Sequence, residues 1–378
     1  MNKDFYINFL SNSEKAVKES QGAAVFQKHA DNLPFVDSDS AAKCLHNAQL
    51  RTIENLDEEL NRFEKNFANK HNSVFWASDF NDVFSSLKQL FKTHKVKSVR
   101  LPNVKASTIF RELGIKYFLK EEKISLADDA DMQFFAVDMM VADTGSLLFV
   151  NQSNNSLSKL SNNRTNVFFV TVDHILPNAS KVEVYQQLVS YHNGAAQQDM
   201  FLFKGSPNCN NYLFIIDNQR STLLKEKQLR QSMTCLQCGR CSDVCPVFQT
   251  IGEEPYNNVF TGPVANIMLP WLETIESYRH VLYTCTLCGR CEEVCPVDMP
   301  IRDMILDARH SFFINGQIDK KDKKVMSAMR KTALSRSKMN ASSMFRRRRL
   351  RKFLSSDFRR RRKTPPLSKE TFNRLFMK

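Results

Sequence analysis

The sequence predicts an α/β domain with a mostly parallel sheet, then an α-helical domain built around cysteines, then a basic tail. Three observations carry this. Short apolar runs alternate with amphipathic segments between residues 71 and 217; one cysteine-rich phrase occurs twice after them; and positive charge is concentrated beyond residue 331. The implied divisions are an N-terminal helical region (1–70), an α/β domain (71–217), a helical domain (218–330) and a tail (331–378).

In the first region, Leu45, Leu50, Ile53, Leu56, Leu60 and Phe63 recur at spacings of three to five, an apolar stripe bordered by charge. Near Val74 the texture changes. "SVFWAS" reads as a strand, "FNDVFSSLKQLFKTH" as a helix and "SVRLP" as a strand. "ASTIFRELG" reads as a helix stopped by Gly114, followed by "KYFL" as a strand. "MQFFAVDMMVADTGSLLFV" predicts two strands joined at Asp143-Thr144-Gly145, and "NVFFVTVDHILP" and "NYLFIID" predict further strands. Strands alternating with helices call for a parallel sheet covered by helices. Beyond it, "GPVANIMLPWLETIESYRHVLYT" reads as helical around Pro270, and "IRDMILDARHSFFING" as an amphipathic helix ended by Gly316.

Charge is uneven. Residues 331–378 hold 17 Lys and Arg against Asp357 and Glu370, a net +15, so the other 330 residues sum to −1 within the total of +14. "RRRRLRK" from Arg346 and "RRRRK" from Arg359 are like-charge blocks, which repel themselves and stay solvated. In descending order, the tail reads as a solvated dock for an acidic protein partner, as a contact to an anionic membrane face, and as a nucleic-acid binder; the last lacks any accompanying DNA- or RNA-reading module. The start of the chain has scattered charges and no apolar core followed by small residues, so it does not read as a secretory signal. No apolar run approaches the roughly 18 residues that span a bilayer. The expected location is the cytoplasm, with the tail able to meet the inner membrane face.

Several chemistries have no local signature. None of the ten glycines forms G-x-G-x-x-G or a phosphate-binding loop, and no G-x-S-x-G elbow occurs. The eight histidines, at 29, 46, 71, 94, 174, 192, 280 and 310, include no pair at metal-ligand spacing and read as surface or satisfied core residues. Cys44 and Cys209 stand alone and read as small buried hydrophobes.

The other eight cysteines form the repeated phrase. Cys235, Cys238, Cys241 and Cys245 have the spacing C-x2-C-x2-C-x3-C with Pro246 following; Cys285, Cys288, Cys291 and Cys295 repeat it before Pro296. Bacterial-type ferredoxins hold [4Fe–4S] cubes with this run, in which three thiolates wrap one cube and the fourth reaches the other. The spacing therefore predicts two [4Fe–4S] clusters with exchanged ligands: Cys235, Cys238, Cys241 and Cys295 on the first, and Cys285, Cys288, Cys291 and Cys245 on the second. Gly239 and Gly289 give the backbone room near the inorganic sulfides. Zinc is the competing reading, but structural zinc sites present paired C-x2-C knuckles, not a triple at three-residue steps. Arg240 and Arg290 follow the glycines, where a guanidinium would favour reduction of an anionic cube unless solvent screens it.

"IDNQRSTLLKEKQLRQSMTCLQCGRCSDVCPVFQTIG", "TGPVANIMLP" and "LYTCTLCGRCEEVCPVDMPI" resemble the lactate utilisation protein B family, the iron–sulfur subunit of bacterial L-lactate oxidation. "FFAVDMMVADTGSLLFV" also resembles the signature of the lactate-utilisation domain which that family carries upstream. The resemblance implies that residues 71–217 fold like CoA transferases and ribose-5-phosphate isomerase, and that Asp143, Thr144 and Gly145 belong to the domain signature, as a turn or a ligand contact. It also implies two companion lactate-utilisation proteins, one rich in cysteine motifs, and oxidation of L-lactate to pyruvate. With no flavin, nicotinamide or catalytic base of its own, the chain would take and deliver electrons through other chains. The alternative is a redox-sensing or structural iron–sulfur protein whose basic tail is the working surface.

Overall fold

The computed structural model describes residues 23–26, 38–69, 71–101, 108–150, 165–192, 200–205, 209–227, 229–253, 256, 258, 260–315, 320–340 and 376. The chain forms two compact units, Met1–Arg309 and His310–Lys378. In the first, a mixed α/β body precedes a helical region that carries the cysteine phrases.

The strands are β1 (Ala23–Phe26), β2 (Asn72–Ala77), β3 (Ser98–Arg100), β4 (Ser125–Leu126), β5 (Met132–Ala136), β6 (Met139–Val141), β7 (Ser146–Val150), β8 (Thr165–Thr171), β9 (Ile175–Leu176), β10 (Met200–Phe203) and β11 (Asn210–Ile216). Six of them make a parallel sheet in the order β2-β11-β8-β5-β3-β4. The rest make a mixed sheet, β1-β10-β7-β6-β9. Successive side chains of a strand point to opposite faces. Phe134, Val167, Phe169, Phe214 and Ile216 accordingly face Val83, Leu87 and Phe91 of the helix Phe80–His94, with Ile109, Phe110 and Phe118 alongside. Phe135 and Phe168 face the other way and meet Phe149 and Phe203 of the mixed sheet, with ring centroids 5.3–6.3 Å apart. The α/β core is thus helices, parallel sheet, then mixed sheet.

A buried amide ladder crosses the parallel sheet. Asn166 Nδ2 donates to Asn211 Oδ1 (3.0 Å), Asn211 Nδ2 to Asn72 Oδ1 (2.9 Å), and Asn72 Nδ2 to the carbonyls of Lys204 and Phe67. Each of the three amides donates along it, so the ladder fixes strand register where a one-residue slip would break every link.

Four sequence expectations differ here. "KYFL" lies in the helix Ile115–Glu121, because Ile115, Phe118 and Leu119 bury one helical face. Gly114 therefore joins two helices in a left-handed turn (φ 59°). The apolar stretch 132–141 is two strands, broken at Val137-Asp138 where the chain leaves one sheet for the other. Asp138, at that corner, accepts from the Val150 N–H at 2.7 Å, and burial pushes its carboxyl up to about 7. Within the N-terminal segment read as helical, Ser38–Glu54 and Leu56–Phe67 are helices, but Ala23–Phe26 is a strand on β10. Finally, Cys44 is exposed, with Lys181 Nζ 3.2 Å from its sulfur, whereas Cys209 is buried as expected.

The Asp143-Thr144-Gly145 turn joins β6 and β7 as anticipated. The Asp143 carboxylate accepts from the Ala179 N–H at the start of the helix Ser180–His192. Gly145 (φ 60°) lies so close to the end of the helix Leu56–Phe67 that a Cβ would stand 2.4 Å from the Asn66 carbonyl carbon. These contacts make the tripeptide a packed turn.

In the second unit, Lys320–Ala333 and Arg336–Asn340 are helices, and Lys323 Nζ lies 5.9 Å from the Phe313 ring centroid. Gly316 and both arginine blocks lie outside the described residues.

Candidate metal centre

Residues 220–309 build the cysteine region. The helix Arg220–Lys225 leads from β11 into a 3-10 turn, Arg230–Thr234. The longer helices Gly262–Leu272, Ile275–Thr284 and Ile301–Ile314 frame the two phrases.

The repeat in sequence is a repeat in conformation. Thr234 and Thr284 each bond back three residues, to the carbonyls of Gln231 (2.8 Å) and Val281 (2.6 Å). The Gln237 and Leu287 N–H groups each donate to the first thiol of their phrase, Cys235 and Cys285, at 3.3 Å. Those two residues hold positive φ (52° and 60°), followed by Gly239 (78°) and Gly289 (82°). Each glycine starts a short helix, Arg240–Asp243 or Arg290–Glu293. A left-handed turn directs successive N–H groups inward, and glycine adopts it without strain. At 239 the left-handed backbone angle by itself favours glycine. After the fourth cysteine the copies part. Pro246 opens the helix Pro246–Ile251, with the Cys245 sulfur accepting from the Phe248 N–H (3.4 Å); Pro296 leads into a loop before Ile301.

The thiols of the two phrases interleave. Burial raises the Cys235 pKa, and Cys241, Cys238 and Cys295 raise it further. Burial pushes Cys241 up to about 11, helped by Cys238 and Cys295 and opposed by the Val264 N–H. For Cys285 the neighbouring thiols are Cys245 and Cys288. Cys245, Cys285, Cys288 and Cys291 line one small cavity together with Asn266 and Pro263. Cys291, pushed up to about 12 by burial and then by Cys241 and Cys285, stands between the groups.

This donor set fits an iron–sulfur group. Burial makes Cys235, Cys238, Cys241, Cys285, Cys291 and Cys295 resist ionisation, and a cationic metal would draw them into thiolates. Among the described residues, no three His, Cys, Asp or Glu side chains converge tightly enough for a single metal ion. A cube makes a different demand, since each of its thiolates binds a separate iron at its own corner.

Three neighbours escaped the sequence reading. Arg309, from the helix Ile301–Ile314, donates to the carbonyls of Leu282 (2.8 Å) and Cys285 (2.7 Å), and its charge favours the Cys285 thiolate. Gln237 bonds to His174 of the β8–β9 turn (Nε2 to Nε2, 3.1 Å), tying the first phrase to the α/β body. The Asn266 side chain is 3% exposed and its Oδ1 has no hydrogen-bond partner among the described residues. Of the arginines singled out, Arg240 is half-buried and acts on the Cys238 thiol through both its N–H and its charge, whereas Arg290 is exposed. Cys288 is exposed as well, unlike its counterpart Cys238.

Comparison with known proteins agrees with this chemistry. Residues 231–299 match the family model described as a 4Fe-4S dicluster domain. The chain carries an iron–sulfur domain of the 4Fe-4S type. It is also similar to lactate utilization protein B of Bacillus thuringiensis and of Bacillus cytotoxicus, each 28% identical over 191 residues. Those alignments cover 48% of this chain, and the chain spans 40% of the length of these curated relatives. A solved structure of a DUF162 family protein from Deinococcus radiodurans aligns with 43% of this chain and 98% of its own at 13% identity, with a TM-score of 0.32. Among the described residues, no helix is long and apolar enough to cross a membrane.

Proposed function

We propose that this chain is the iron–sulfur electron-transfer subunit of a complex oxidising L-lactate to pyruvate. Two [4Fe–4S] clusters are held crosswise, one by Cys235, Cys238, Cys241 and Cys295, the other by Cys285, Cys288, Cys291 and Cys245. The interleaving of the thiols carries this reading: Cys295 interacts with Cys235, and Cys245 shares a cavity with the second phrase's first three cysteines. The similarity to proteins named for lactate utilisation supports the substrate.

When bound, each cube supplies a site for one electron at a time. Oxidising lactate to pyruvate releases two electrons and two protons, so a pair of one-electron sites matches the demand. The protein's own residues hold and tune those sites. Gln237 and Leu287 N–H groups support the first thiolates, Arg240 supports Cys238, and Arg309 anchors the Cys285 turn. Electrons come from and go to companion lactate-utilisation proteins, one of them cysteine-rich. The partner approaches over Cys288, where the site is exposed. Contact of the basic tail with an anionic membrane face belongs to the same proposal.

Deleting the gene tests the substrate. Loss of growth on L-lactate, restored by the intact gene, is expected, and a pull-down from the same cells should recover the companion proteins. Undiminished growth would remove lactate from the reading while leaving the clusters in place.

A further inference from the structure

The helix Gly262–Leu272 begins between the two groups of thiols. Its Val264 N–H is directed at Cys241 of the first set, and two residues on, Asn266 lines the cavity of Cys245, Cys285, Cys288 and Cys291. Asn266 is otherwise hard to account for. It lies in the run "GPVANIMLP", where every side chain is buried, and it is itself 3% exposed. A buried amide normally finds a partner, and an orphan is costly. The Asn266 Oδ1 has none among the described residues, and a half-turn of the amide brings its N–H to that same unpaired position. Pro263, Val247 and Leu287 around the same cavity have no side-chain polar group to meet it, and its polar neighbours Thr286 and Arg302 do not bond it.

We infer that Asn266 sets the reduction potential of the second cluster by donating an amide N–H bond to its sulfur. The inference rests on the two-cluster reading above. The physical reason is electrostatic. A cube gains negative charge on reduction, and an N–H bond to its sulfur strengthens as that charge grows, so the donor favours the reduced state. Water would compete for such a bond at the surface; the cavity here is small and mostly apolar in its lining. The opposite orientation, Oδ1 toward the sulfurs, would disfavour reduction, so the sign of the effect identifies the atom that faces them.

The test is an anaerobic redox titration of the full chain followed by electron paramagnetic resonance, comparing wild type with Asn266→Leu and Asn266→Asp. Leucine keeps the volume and removes the donor; aspartate keeps the shape and offers only acceptors when ionised. Both variants should lower one midpoint potential and leave the other in place, with aspartate giving the larger fall. A tenfold loss in the reduction equilibrium corresponds to about 59 mV for a one-electron couple. The affected signal should be the one altered in Cys288→Ser. If aspartate prevents assembly, the leucine variant decides alone. Two reducible clusters with unmoved potentials, a rise instead of a fall, or a shift in the signal altered by Cys238→Ser would overturn the inference. A wild-type chain with fewer than two reducible clusters would overturn the underlying reading, and the inference with it.

Discussion

Replacing Arg220 by leucine is expected to lower stability by about 3–5 kcal/mol, the cost of stranding buried charges by removing one partner. The Arg220 side chain is 1% exposed and holds two carboxylates. Its Nη2 reaches Glu112 Oε2 at 3.0 Å and its Nε lies 3.1 Å from Asp173 Oδ1. The three residues come from the helix Thr108–Glu112, the β8–β9 turn and the first turn of the helix Arg220–Lys225, while the guanidinium also lies 5.8 Å from the Phe260 ring centroid. One side chain therefore clamps the α/β body to the start of the cysteine region. Leucine would leave Glu112 and Asp173 buried without a cation. Lysine would not substitute, because its single ammonium cannot reproduce the fork that serves both acids. The effect has a pH signature. Burial opposes ionisation of Asp173, yet Arg220, then His174 and the Thr171 hydroxyl, hold its carboxyl below the ordinary value. A depressed folded value means stability that is present above the unfolded pKa and lost as pH falls through the folded one. Wild type should therefore lose this contribution in acid, and the gap between wild type and Arg220→Leu should close there. Urea melts at neutral and acidic pH read both effects; an equal gap at all pH values would contradict the clamp.

Exchanging Cys295 for serine should remove or alter the cluster bound by the first phrase, although Cys295 belongs to the second. This follows from the crosswise grouping, in which Cys235 interacts with Cys295 while Cys285 interacts with Cys245. Iron content should fall from roughly eight to roughly four per chain if the weakened site empties. The lost signal in electron paramagnetic resonance should match the one altered by Cys238→Ser. Cys245→Ser should reproduce the pattern of Cys288→Ser. Should Cys295→Ser instead match Cys288→Ser, each phrase would hold its own cluster and the crossing would be wrong.

The parallel sheet was legible because its strands are buried on both faces and read as continuous apolar runs such as "NVFFVTV". Shorter elements were less so. Residues 115–121 offer only two helical turns, too few for periodicity to separate helix from strand, and Ala23–Phe26 owes its strand to pairing with β10 rather than to a local pattern. The break at Val137-Asp138 left one signal, an acid inside an apolar stretch, and that acid turned out to mark the corner between sheets. The two cysteine phrases were legible as a repeat, since their spacing is written directly into the chain, and the structure repeats it in conformation. Their surroundings were not. Arg309, His174 and Arg220 reach them or brace them from other elements through tertiary packing. Asn266 alone carried a sequence hint, as a polar residue in the middle of "GPVANIMLP".

The metal content of the full chain, purified without air, tests the account most directly. Iron and acid-labile sulfide should each approach about eight per polypeptide, with two one-electron reductions. Zinc in place of iron, or no more than about four irons per chain in the anaerobic wild-type preparation, would contradict it.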